Sequence, residues 1–149
     1  MTTRTQRKHI DYGLGFPVVI LNAPMIKVRG QWALHINYND YQEAVLELLA
    51  FKPTRLTGSE IQFIRKHFEM TVRDFGKRFS IKHPAVIKWE KQRDKATRMS
   101  WSTEKDIRLF ILDERDRKAS ELAKLYHSLE SEAAEPKKPL EIDAEKLAA

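Results

Sequence analysis

A chain of 149 residues with 27 Lys/Arg against 21 Asp/Glu has room for one ordinary domain, or for a small domain with appendages. Charged residues at 32% and hydrophobic ones at 42% describe a water-soluble chain that still buries a core, and no apolar run approaches the ~20 residues of a membrane span. The absence of cysteine excludes disulfides and thiolate metal sites, and the opening MTTRTQRKHI lacks the apolar segment of a secretory signal, so a cytoplasmic protein is expected.

Residues 1–9 are polar, basic and without period, and are expected to be disordered. Residues 10–52 read as an antiparallel β-meander followed by a helix. Val18 to Leu21 is a β-branched-rich run, Asn22-Ala23-Pro24 is a turn signal, and Met25 to Arg29 alternates as a second strand. Gly30-Gln31 breaks the pattern before Trp32, Leu34 and Ile36 alternate as a third strand. From Asn39 to Phe51 the texture is helical, with Tyr41, Val45, Leu48 and Leu49 on one face, a cap at Asn39 or Asp40, and Pro53 as the stop. The core of this unit is expected at Val18, Ile20, Trp32, Leu34 and Leu48.

Residues 57–91 carry the most information, within a helix-turn-helix domain expected over 56–112. Apolar side chains recur at Ile61, Ile64 and Phe68, then at Val72, Phe75 and Phe79, then at Val86 and Trp89, each group spaced by three or four residues. Thr57 with Glu60 and Thr71 with Asp74 are capping boxes, each flanked by a hydrophobic staple, Leu56 with Ile61 and Met70 with Phe75. Only Ser80-Ile81-Lys82-His83 separates the second group from the third, the spacing of a helix-turn-helix. Pro84 suits a first helical turn and pushes His83 from helical angles, which predicts His83 as the cap. Residues 57–101 hold eleven Lys/Arg and five Asp/Glu, a net of +6 equal to that of the whole chain, so the positive charge sits where phosphate neutralisation needs it.

Beyond this unit, Arg93 to Ser102 reads as a loop with Met99 and Trp101 packing back. A helix follows from about Thr103, capped by Thr103 and Asp106, with Ile107, Phe110 and Ile111 buried. The charged run 113–118 interrupts the stripe, which resumes at Ala119, Leu122, Tyr126 and Leu129 as a helical extension over 113–130. Residues 131–149 lack a core pattern and are expected to be a disordered tail. The fold class is therefore α+β: a small antiparallel meander with a helix, then an all-α helix-turn-helix domain and its helical extension. The apolar faces of 107–112 and 119–129 are the first candidates for a dimer contact.

Residues 56–91 resemble the helix-turn-helix of the Cro/lambda-repressor (XRE) family, through Ile64-Arg65, Thr71, Phe75-Gly76, Phe79-Ser80-Ile81, Val86 and Trp89-Glu90. LTGSEIQFIRK and the preceding β-rich segment with Tyr12-Gly13-Leu14 further resemble the MqsA/HigA-like antitoxins of bacteria and their regulator relatives, although the zinc-binding cysteines of the MqsA type are missing. The resemblance implies that Lys82, His83, Ala85 and Lys88 meet base edges. Lysine donates to guanine O6 or N7, and a small Ala85 lets the helix approach a thymine methyl. It implies phosphate contacts from Thr71, Arg73 and Lys91, with Val72 standing where relatives often carry a phosphate-binding glutamine. It assigns Arg65 and Glu90 to an ion pair that frames the reading helix, Gly76 to a close helix crossing and Trp89 to the core. Ser80 replaces the usual glycine of the turn, at a modest conformational cost.

The implied protein is a dimeric autorepressor on a palindromic operator in double-stranded DNA, acting as the antitoxin of an RNase toxin. The alternatives are a phage-, plasmid- or integrative-element-type regulator without a toxin, and an adaptor whose helices pack on protein only. No membrane partner, metal or cofactor is expected, and the location is the bacterial cytoplasm, on the nucleoid when bound to DNA. Enzymatic readings find little: five scattered histidines, a lone Gly13-Leu14-Gly15, and Glu43 and Glu47 on what reads as a solvated helix face.

Overall fold

The structure, a computed structural model, describes residues 2–115 and 119–147, with Ala119 and Ser120 described for their backbone. The elements run β1 (Thr3–Asp11), β2 (Val18–Val28), β3 (Gln31–Leu34), α1 (Tyr38–Ala50), α2 (Gly58–His67), α3 (Val72–Arg78), α4 (His83–Glu90), α5 (Trp101–Glu114), α6 (Ala119–Ser128) and β4 (Leu140–Asp143), with a short 3-10 turn at Ala144–Lys146. The fold is mixed α+β, with the meander ahead of the helices as the sequence predicts. Among the described residues no helix is long and apolar enough to cross a membrane.

The chain divides into two compact units, residues 1–45 with 138–149 and residues 46–137, so the boundary falls inside α1. In the first unit β2 pairs antiparallel with β1 along most of its length and with β3 near its end, while β4 joins its first half in parallel. Val18, Ile20 and Ala23 are wholly buried there, and Leu140 and Ile142 alternate into the core from β4. Tyr41 of α1 is wholly buried too, and its hydroxyl donates to Asp11 Oδ2 at 2.9 Å. Burial first, and then that bond, raise its pKa. Trp32 and Leu34 are only partly buried, and Leu48, also partly buried, belongs to the second unit rather than to this core.

Several expectations are corrected in this unit. Residues 3–9 form most of a strand rather than a disordered arm. The ladder to β2 satisfies their backbone, so their own side chains need no apolar period. Asn22-Ala23-Pro24 is not a turn: Asn22 takes φ 52 inside β2, its amide donates to Asp143 at 2.9 Å, and pairing to β1 resumes on both sides. The real turn is Arg29-Gly30, both at positive φ, as a two-residue hairpin loop requires. Asn37, not Asn39 or Asp40, caps α1 by accepting from the Asp40 N–H. Nor is residues 131–149 a structureless tail, since β4 lies inside it.

In the second unit both capping boxes form as read, at Thr57–Glu60 and Thr71–Asp74. Ile61, Ile64, Phe75, Val86, Ile107 and Ile111 fill the core, with Phe68, Phe79 and Phe110 stacked edge to face at 5.1–5.3 Å. On the faces of 107–112 and 119–129, Ile107, Phe110, Ile111, Leu125 and Leu129 are buried within the unit. The stripe of α6 runs through Leu125 rather than Tyr126, which is 52% exposed. Ser100, not Thr103, caps α5, placing Trp101 at the head of the helix. The charged interruption expected at 113–118 lies partly outside the described residues, as does the side chain of Ala119.

A buried ionic cluster ties the segment between α1 and α2 to α5. Glu104, wholly inaccessible, accepts from Arg55 Nε at 2.7 Å, Leu56 N at 3.1 Å, and Arg108 Nη2 and Nε at 2.7 and 3.2 Å. Arg108 is equally buried and also donates to the carbonyls of Ala50, Lys52 and Thr54. Lys52 holds Glu60 at 2.7 Å, joining the cluster to the capping box of α2. Burial lowers the pKa of Arg108, against the opposing pull of Glu104.

Candidate nucleic-acid interface

Three short helices and one turn build this surface. Phe79 closes α3, Ser80 reverses the chain at φ 58, and Ile81 N–H donates back to the Gly76 carbonyl at 2.7 Å. A Cβ on Gly76 would stand 2.4 Å from the Ile81 carbonyl oxygen. The small residue is thus required by the turn folding over α3, rather than by a helix crossing. Helix α4 starts at His83 with Lys82 in the cap position, one residue earlier than the proline suggested. Pro84 then occupies the second helical position, where its missing N–H is again one the helix leaves unbonded. No side chain caps α4, since lysine has nothing with which to accept.

The frame holding α4 is explicit. Arg65 Nε and Nη2 donate to the Glu90 carboxylate at 2.7 and 2.9 Å, and Nη1 donates to the Met70 carbonyl at 3.0 Å. The hydrogen bond to Glu90 is the main reason the Arg65 pKa rises, outweighing its partial burial. Trp89 is buried in the core. Gly58, which sequence reasoning passed over, lets the start of α2 touch the end of α4: a Cβ there would lie 2.3 Å from the Trp89 carbonyl oxygen.

Outside the frame lie two grooves. One, of about 610 Å³, is lined by Thr71, Arg73, Asp74 and Lys77 from α3 and its cap, and by Ile81, Lys82, His83 and Pro84 from the turn and the start of α4. It brings two expected phosphate-contacting residues, Thr71 and Arg73, together with two expected base-contacting ones, Lys82 and His83. The second groove, of about 390 Å³, is lined by Pro84, Ala85, Ile87, Lys88 and Lys91. Pro84 belongs to both, and Arg65 and Glu90 to neither. Lys82, Lys88 and Lys91 are exposed, and Ala85 is half-buried.

Two residues of this surface escaped the sequence reading. Lys77 adds an ammonium to the first groove, and its place four residues after Arg73 on α3 was a signal. Ile87 stands in the second groove 39% exposed, four residues after His83 and before Lys91. One feature works against anions. Asp74 lines the first groove, where its carboxylate accepts from the Thr71 N–H as part of the cap. Five cationic side chains, Arg73, Lys77, Lys82, Lys88 and Lys91, outnumber it across the two grooves. The surface can neutralise a phosphate backbone and present lysine and histidine donors to base edges. No protein-family model matches the chain, and no curated protein or solved structure is significantly similar to it.

Proposed function

We propose that the protein is a sequence-specific DNA-binding transcriptional regulator whose α4 enters the major groove of an operator. The observation that carries this reading is the first groove, where Arg73 and Lys77 of α3 converge with Lys82 and His83 at the start of α4. Thr71, Arg73 and Lys91 bind phosphates and fix the register of α4, while Lys82, His83, Ala85 and Lys88 read bases. The Arg65–Glu90 pair makes α4 rigid with respect to α2, so the reading side chains arrive preorganised. The regulator acts as a cytoplasmic homodimer on an inverted repeat with half-sites about 10 bp, or a multiple, apart.

Its test is a selection of duplexes from a randomised pool by the full chain, followed by titration of the enriched and scrambled duplexes at rising salt. The expected result is enrichment of an inverted repeat and an affinity that falls steeply with salt on both duplexes. Salt-independent binding, or no enrichment, contradicts the reading and favours the protein-binding adaptor. The role of an antitoxin is supported by the sequence resemblance alone. It is tested by co-expressing this protein with a neighbouring small open reading frame that is toxic by itself.

A further inference from the structure

We infer that Ile87 reads the 5-methyl group of a thymine, so that each operator half-site carries a thymine beside the base pair contacted by Lys88. The inference rests on the DNA-binding reading and specifies a base which that reading leaves open. On α4, Val86 and Trp89 turn inward, while Pro84, Ile87, Lys88 and Lys91 line the outer groove. Their spacings of three and four residues place them together on one side. Ile87 is the large apolar group of that side, and no acidic side chain lines the groove with it.

The chemistry of the groove selects its occupant. Lys88 and Lys91 flank Ile87, so a purely apolar partner would desolvate two ammonium groups without pairing them. A partner must therefore offer anionic charge at the edge and an apolar group at the centre. The major groove of duplex DNA does both, with phosphates along its walls and the thymine methyl as the apolar group on its floor. Isoleucine neither donates nor accepts a hydrogen bond, so at this position contact with the methyl is the available discrimination. Cytosine carries only a hydrogen in place of that methyl, with an amino group beside it whose desolvation against Ile87 is unfavourable.

The experiment uses the full chain and the duplex enriched from a randomised pool, with each thymine replaced in turn by deoxyuridine, which removes the methyl and nothing else. One position per half-site, next to the pair sensitive to Lys88→Ala, should lose about fourfold in affinity, the value of one buried methyl group. Ile87→Ala should bind the unmodified duplex more weakly and show no deoxyuridine penalty at that position. Ile87→Val, which keeps the fold-compatible branched shape, should show a reduced penalty. Failure to enrich any duplex contradicts DNA reading itself. An enriched duplex on which every deoxyuridine substitution is silent overturns the assignment to Ile87 while leaving DNA reading intact. A penalty that persists undiminished in Ile87→Ala and Ile87→Val also overturns it, moving the methyl contact to another side chain of the groove.

Discussion

Replacing Glu104 by glutamine removes one charge and almost no volume, so it isolates the electrostatics of the buried cluster. Glu104 and Arg108 are both 0% exposed, and Arg55 is nearly as enclosed. The carboxylate accepts four hydrogen bonds, two from Arg108, one from Arg55 and one from the Leu56 backbone. Glutamine keeps one acceptor oxygen and turns an amide donor toward guanidinium donors. Arg108 retains its three carbonyl partners, but its charge is left without a counterion. Breaking a buried pair from one side costs about 3–5 kcal/mol. Against a domain stability of about 5–15 kcal/mol this is a large fraction. For a unit of this size it corresponds to a drop in Tm on the order of 12–40 °C. Denaturant unfolding followed by circular dichroism measures it directly. A second variant carrying Arg55→Met, Glu104→Leu and Arg108→Met removes every charge of the triad and should be more stable than Glu104→Gln alone. The reasoning is refuted if Glu104→Gln costs less than about 1 kcal/mol, or if the charge-free triple variant is the less stable of the two.

Other perturbations follow from the same geometry. Gly58→Ala would drive a Cβ to 2.3 Å from the Trp89 carbonyl oxygen, so unfolding titrations should show a loss of about 1–3 kcal/mol, with a neutral outcome contradicting the close approach of α2 and α4. Ser80→Gly relieves a residue at φ 58 and should raise stability by a few tenths to about 1 kcal/mol, read as an increase in the denaturant midpoint. Asp143 has its pKa depressed, first by the Asn22 side chain and then by the Glu145 N–H. A depressed folded-state value means that its stabilisation is present above the ordinary aspartate pKa of about 4 and is lost as pH falls through the lower folded value. Amide exchange in β4 should therefore accelerate, relative to that in β2, when the protein is moved from neutral pH to pH values below about 4. Unchanged relative protection would sever β4 from that hydrogen bond.

The parts of the fold that were legible in the sequence are those set by short-range periodicity and caps. Thr57–Glu60, Thr71–Asp74 and the three-and-four spacing of Ile61, Ile64, Phe75 and Val86 state their structure within a few residues. What escaped was held from a distance. Thr3–Asp11 is a strand because β2 supplies its hydrogen-bond partners, and nothing in TRTQRKHID announces that. Leu140 and Ile142 do alternate, but four residues are too few to distinguish from chance without the β2 edge they join. Asn22-Ala23-Pro24 has turn chemistry, yet cross-strand pairing on both sides confines it to one residue at positive φ. Glu104 and Arg108 read locally as a helical pair four residues apart, the pattern of a solvated face, and the partner that marks them as buried, Arg55, lies 49 residues from Glu104.

The candidate interface divides in the same way. Its residues lie on α3 and α4, whose helical spacing could be read, and Arg65 and Glu90 pair across 25 residues as the resemblance implied. The start of α4 shifted by one residue because the proline restriction on His83 is a preference, which tertiary packing overrides. Ile87 was passed over because an exposed isoleucine has no meaning until its neighbours in the groove are known.

The central claim, that α4 reads base sequence, is tested most directly by the affinity of Lys88→Ala for the selected operator and for a scrambled duplex of equal length. The account predicts a loss of about 1–3 kcal/mol on the operator, concentrated at one base-pair position, and a much smaller loss on the scrambled duplex. Equal losses on the two duplexes would contradict it, leaving Lys88 as a phosphate contact on a helix that reads no sequence there.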